Sequence, residues 1–187
     1  MTTVLAVQGQ DWSYIGCDSA VVDTNSGKSW SASSSKVYST GKYVFSGAGA
    51  LSGLTLLWNM EKLPEPPKQY TLKEMDEFVA RKLVPYIKKV YKASELELDD
   101  RPELLVSIDS VLYEINSDFS WCRDSRGVYG VGTGSSYGLP ILLVREATLS
   151  KEDAELALKA GLQVASEFDA FTCPPFELIL SEKANVV

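Results

Sequence analysis

The sequence predicts an α+β fold: two antiparallel sheets packed face to face with helices outside them, a four-layer αββα sandwich. Three observations lead there. Extended and helical stretches come in blocks: strands, two helices, strands, two helices, a last strand. Strands in blocks favour antiparallel pairing, and helix pairs after each block favour helices laid over the sheets. The 187 residues are 45% hydrophobic with four Trp, enough for one domain with a sizeable core spanning residues 1–187. A mixed α+β domain with one sheet is the second choice.

The first block opens on "TTVLAV", where Val4 to Val7 form an apolar run directly behind two threonines. "WSYIGCDSAV", from Trp12 to Val21, is a second extended stretch, and Gly9, Gln10 and Asp11 between them suit a hairpin turn. "DTNSGKSWSASSS" is polar and reads as a loop. "KVYSTGKYVFSGAG" reads as another hairpin, with a strand beginning at Lys36, a turn at Thr40-Gly41, and a Gly/Ala-rich turn at Gly47–Ala50.

The texture then becomes helical. "LSGLTLLWNMEKL" is closed by "PEPP", which cannot continue a helix. Thr71 and Glu74 make a capping box ahead of Met75, Phe78, Val79, Leu83, Ile87 and Val90 at helical spacing. Pro85 should bend this helix. "ASELELDDRPE" is an acidic, solvated loop. "LLVSIDSVLYEINSD" and "SWCRDSRGVYGVG" read as strand pairs, Ser135–Arg145 and Ser150–Phe168 as helices, and "PFELILSEK" as a closing strand. Ser150 and Asp153 form a second capping pair.

Composition removes several functions. Net charge is −7, which disfavours nucleic acid or an anionic membrane as a main partner. No stretch has the basic start and apolar run of a secretion signal, and none approaches the roughly 18 apolar residues of a membrane span. The three cysteines, Cys17, Cys122 and Cys173, are scattered, and free thiols suit a reducing, cytoplasmic compartment. There is no histidine, so no zinc site or other cofactor is expected, and every Ser-His or Cys-His mechanism is excluded. Hydrolytic chemistry here needs another base.

Thr2 offers one. Small residues after Met1 permit removal of the methionine, and the exposed threonine then holds a nucleophile and a base together. Its hydroxyl attacks, and its α-amine, with an ordinary pKa of roughly 7.7–8, takes the proton. Such a unit needs a cation beside the amine, a carboxylate to hold the cation, and N–H donors for the oxyanion. Asp18 ends a buried strand, where a carboxylate must be paired. Lys36 follows a run of serines, and the Gly47–Ala50 turn presents backbone N–H groups at a helix start.

These stretches, "TTVLAV…GCDSAV…SSKVY…FSGAGALSG", resemble the proteasome β-subunits and the bacterial HslV peptidase, N-terminal nucleophile hydrolases of αββα fold. "GVGTGSSYG" is similar to that family's Gly-Ser-Gly segment, and "DAFTCPP" to its Asp-Ala-Tyr-Ser segment, so the resemblance covers nearly the whole chain. It implies Thr2 as nucleophile and Asp18 paired with Lys36, which tunes it. It further implies Gly49 as the oxyanion N–H donor, Thr133 as the supporting hydroxyl, and Asp169 with Thr172 around them. Gly47 takes the pocket-floor position and implies a deep pocket for large apolar side chains. Thr stands for Ser at 133 and 172, and Gly53 stands where the family often has an acid. The "TNSGKSW" loop is slightly longer than the family's.

The resemblance also implies homo-oligomeric stacked rings, polypeptide substrates and an ATP-driven unfoldase. Two alternatives are a proteolytically silent ring or scaffold protein with Met1 retained, and a free-standing amidase.

Overall fold

The computed structural model describes residues 2–23, 26, 28–32, 35–60, 62–94, 97, 101–145 and 150–183. Met1, most of the "ELELDD" loop and part of the "TNSGKSW" loop lie outside them.

One antiparallel sheet has four strands in the order β10-β1-β2-β11: β10 Val128–Gly132, β1 Thr3–Gln8, β2 Trp12–Cys17 and β11 Glu177–Glu182. A second has five, β5-β6-β7-β8-β9: β5 Tyr38–Thr40, β6 Tyr43–Ala48, β7 Glu103–Ile108, β8 Val111–Ile115 and β9 Trp121–Cys122. A small hairpin pairs β3 Ala20–Val22 with β4 Ser29–Ser31. The helices are α1 Leu51–Trp58, α2 Leu72–Phe78, α3 Val84–Ala93, α4 Ser135–Arg145 and α5 Lys151–Phe168.

Side-chain alternation explains the continuous apolar runs. In β1, Val4 and Ala6 point into a cluster that also holds Val44, Leu105 and Leu112 from the five-stranded sheet. Leu5 and Val7 point the other way, onto Leu142 of α4 and Leu158 and Leu162 of α5. The five-stranded sheet is likewise two-faced: Phe45, Leu104, Val106 and Tyr113 pack against Leu54 of α1, Met75 of α2 and Ile87 of α3. A strand buried on both faces needs no polar residue at alternate positions. Removing one such leucine to Ala typically costs about 2–5 kcal/mol. Where a polar pair does enter between the sheets, it is satisfied: Ser13 Oγ meets Ser107 Oγ at 2.7 Å.

Five readings of the sequence are corrected. The stretch Trp12–Val21 is not one strand, because Asp18 captures the Ala20 N–H at 2.7 Å and turns the chain out of the sheet. The polar segment after it contains a strand, β4. Lys36 lies in a bend before β5 rather than in the strand. Gly47 and Ala48 belong to β6, paired with Leu104 and Glu103, so the turn is only Gly49-Ala50. The second β-block divides: β8 pairs with β9, but β10 crosses to pair with β1.

Both capping pairs form. Thr71 and Glu74 exchange hydrogen bonds at the start of α2, and Ser150 accepts from the Asp153 N–H at the start of α5. Helix α1 stops at Trp58, short of the Pro-rich segment. Pro85 does not break the second helical run. It falls in the first turn of α3, directly after a π-helical turn at Val79–Leu83, and the widened turn accommodates a residue that cannot donate.

Candidate active site

Thr2 precedes β1 and lies in an open cleft of about 1090 Å³ whose walls come from β3, the β6–α1 junction and the β10–α4 junction. Lys36, Gly49 and Thr133 line the same cleft. Asp18, Asp169 and Thr172 stand behind it, each buried. The structure therefore brings together all of the sequence-derived residues except Gly47.

Lys36 is the centre of the arrangement. Its Nζ donates to Thr2 Oγ1 at 2.9 Å, to Asp18 Oδ1 at 3.2 Å and to the Ala20 carbonyl. An ammonium has three donors and no acceptor, so all of its hydrogen-bonding capacity is used here. Asp18 balances it. Besides Lys36, its Oδ1 accepts the Thr3 N–H at 2.9 Å, and its Oδ2 accepts the N–H groups of Ala20 at 2.7 Å and Cys173 at 3.4 Å. The pair is 4% and 0% exposed at its side chains. A buried ion pair is tolerated only when its remaining hydrogen bonds are made, and here they are.

A second carboxylate organises the other side. Asp169, the residue that ends α5, accepts at Oδ2 from Thr133 Oγ1 at 2.8 Å and from Thr172 Oγ1 at 2.6 Å. Both threonines retain the hydroxyl that the resemblance to a Ser-containing family requires of them.

Two glycines of the cleft combine positive φ with a close backbone approach. Gly132 has φ +88, and a Cβ there would fall 1.8 Å from the Thr2 carbonyl oxygen. A Cβ at Gly49 would meet Pro102 Cα at 2.7 Å. Gly49 leads into α1, whose N-cap Ala50 provides no side-chain hydrogen bond, so the helix start presents backbone N–H groups to the cleft. Gly47 differs. It does not line the cleft, because the space its side chain lacks is taken by the Glu103 carbonyl, Leu104 and Leu54, all within 3.0 Å of a Cβ built there. The apolar residues that line the cleft include Ala20, Ala48, Leu51 and Leu54.

Cys17 adjoins Asp18 but is no rival nucleophile: burial pushes its thiol up to about 12. Among the described residues no cluster of His, Cys, Asp or Glu could hold a metal, and no helix is long and apolar enough to cross a membrane. Sequence reasoning missed Thr3, Gly132 and the Ala20 carbonyl. The doubled threonine and the glycines flanking Thr133 were visible, but only their spatial neighbours give them meaning.

The chain matches no family model and no curated protein sequence. Its fold, however, matches solved structures over nearly its full length. BPH from Thiobacillus denitrificans aligns with TM-score 0.77 at 21% identity, covering 98% of this chain and 100% of that one. The same protein in complex with epoxomicin aligns with TM-score 0.75 at 22% identity, over 98% and 100% of the two chains. HslV from Trypanosoma brucei aligns with TM-score 0.73 at 18% identity, over 97% and 99%. The mixed α/β architecture of this chain, with its antiparallel sheets, is the proteasome/HslV-like fold.

Proposed function

We propose that this chain is a threonine-type endopeptidase subunit of a proteasome-like or HslV-like protease, an N-terminal nucleophile hydrolase of four-layer αββα architecture. The contact between Lys36 Nζ and Thr2 Oγ1 carries the reading. A hydroxyl held by a buried ammonium, inside a cleft, has little structural purpose and a clear chemical one. The three apolar clusters, one between the sheets and one under the helices on each outer side, support the four layers.

In this reading Met1 is removed first. Lys36, with all three donors engaged, orients the hydroxyl, and the freed α-amine of Thr2 takes its proton as Oγ1 attacks the scissile carbonyl. The N–H of Gly49 stabilises the oxyanion. The proton passes to the leaving amine, an ester to Thr2 remains, and water attacks it with the amine again as base. Asp18 holds Lys36, while Asp169 directs Thr133 and Thr172. Substrates are polypeptides, and the compartment is the cytoplasm. The subunits form stacked rings fed by an ATP-driven unfoldase. Exposed Leu51 on α1 and the exposed, stacked pair Tyr137 and Phe168 on α4 and α5 support burial against neighbours.

The experiment combines intact mass with reactivity. Purified protein should lack the methionine mass, hydrolyse peptides, and take up epoxomicin on the Thr2 peptide; Thr2→Ala should neither hydrolyse peptides nor take up epoxomicin. Retained Met1 with no hydrolysis would instead establish the silent ring protein. Light scattering should report a large multiple of 20.5 kDa, and a monomer refutes the rings.

A further inference from the structure

The second threonine of the N-terminal pair has no part in the chemistry above, yet it is bonded to both halves of the polar network. Thr3 is fully buried in β1. Its N–H donates to Asp18 Oδ1 at 2.9 Å, and its Oγ1 lies 2.5 Å from Thr172 Oγ1. Distance alone allows either hydroxyl to be the donor in that second contact.

Asp169 decides the direction. An ionised carboxylate only accepts, and its Oδ2 is reached by the hydroxyls of both Thr172 and Thr133. Each of those hydroxyls has one proton, which goes to Asp169. Thr172 Oγ1 then faces Thr3 with a lone pair, so Thr3 must be the donor. The order runs from Thr3 to Thr172 to Asp169, with Thr133 converging from the cleft side. Its donation to Asp169 leaves Thr133 Oγ1 as an acceptor in the cleft that Thr2 also lines.

Resting on the peptidase reading, we infer that Thr3 is a positioning residue: with its N–H on Asp18 and its hydroxyl as the terminal donor to Thr172, it holds Thr172 on Asp169 and ties the Asp18–Lys36 pair to the Asp169–Thr133 arm of the cleft. The site is closed over these oxygens. A Cβ at Gly134 would lie 2.2 Å from Thr3 Oγ1, 2.6 Å from Thr172 Oγ1 and 2.9 Å from Asp169 Oδ2, so the backbone there covers all three. Loss of the Thr3 hydroxyl is not repaired from outside.

The test compares T3V, which keeps shape and loses the hydroxyl, with T3S, which keeps the hydroxyl and loses a methyl. In the Met1-processed enzyme T3V should lose roughly tenfold or more in kcat with KM little changed, because misplacement by a fraction of an ångström is costly in rate. T3S should stay near the parent. An unchanged kcat in T3V, or an equal loss in T3S, overturns the role. Neutron diffraction from deuterium-exchanged parent crystals gives a readout independent of activity and of the folding of either variant. Deuterium on Thr3 Oγ1 directed at Thr172 supports the order; deuterium on Thr172 Oγ1 directed at Thr3 overturns it. A parent without peptidase activity would defeat the peptidase reading, and the neutron result would still decide the proton order.

Discussion

Lys36 Nζ and Thr2 Oγ1 stand 2.9 Å apart although 34 residues separate them, and the lysine is buried but for 4% of its surface. The ammonium is held from behind by Asp18 and the Ala20 carbonyl, so its position relative to the hydroxyl is fixed before any substrate arrives. Preorganised charge of this kind needs no rearrangement during reaction.

Lys36→Ala is expected to abolish turnover in the Met1-processed enzyme while leaving the oligomer intact. The variant leaves Asp18 without its counter-ion. Breaking a buried pair costs roughly 3–5 kcal/mol, and the three N–H donors that remain on Asp18 should keep the loss near the lower end. Lys36→Arg keeps the charge but replaces a compact ammonium by a planar fork, so it should fold and be nearly inactive. Peptide hydrolysis by Lys36→Ala at the parent rate would exclude the threonine mechanism; thermal unfolding measured alongside separates chemistry from stability.

Gly132→Ala should damage the site and Gly41→Ala should not. Both glycines have positive φ, +88 and +56, and alanine in such a conformation costs about 1–2 kcal/mol. Only Gly132 also meets the Thr2 carbonyl; nothing lies within 4 Å of a Cβ at Gly41. The expected result is a similar minor loss of stability from strain in both, a further loss in Gly132→Ala, and a fall in kcat of about 100-fold in that variant alone. Equal kcat values in the two variants would show that the Thr2 backbone position does not matter.

Glu114 sits half-buried on β8, where burial first, then Glu103 and Asp124, raise its carboxyl above the ordinary value. A raised acid binds its proton more readily folded than unfolded, so its contribution to stability falls as pH rises from the unfolded pKa, about 4.3, through the folded one. Glu114→Gln removes that penalty. It should raise the unfolding midpoint at pH 7 and lose its advantage below about pH 4. A midpoint unchanged or lowered at pH 7 contradicts the desolvated placement of this side chain.

Peptide preference should be apolar. Ala20, Ala48, Leu51 and Leu54 line the cleft together with Thr2. A panel of fluorogenic peptides should rank Leu, Tyr or Phe above Arg and Glu at the cleaved position. Because Leu54 rather than Gly47 bounds this space, Leu54→Ala should widen acceptance toward Trp, whereas Gly47→Ala should chiefly destabilise the strand. Unaltered preference in Leu54→Ala would place the pocket elsewhere.

The two capping pairs, the hairpin turns, the helical spacing from Met75 to Val90 and the doubly apolar strands are legible in the chain because each depends on residues only a few positions apart. The need for a base other than histidine is likewise a matter of composition, and it directs attention to Thr2, Asp18 and Lys36. Other features depend on atoms brought together from far along the chain. Asp18 leaves the sheet because its carboxylate binds N–H groups up to 155 residues away. β10 crosses to β1 because burial between two layers, not adjacency to β9, determines its partner. Gly47 falls outside the cleft because β7 packs against it, and Thr3 acquires its place only through a hydroxyl 169 residues distant. Periodicity and caps are set by short-range sterics and hydrogen bonding, whereas a buried polar atom is satisfied by whatever donor the packed layers deliver to it.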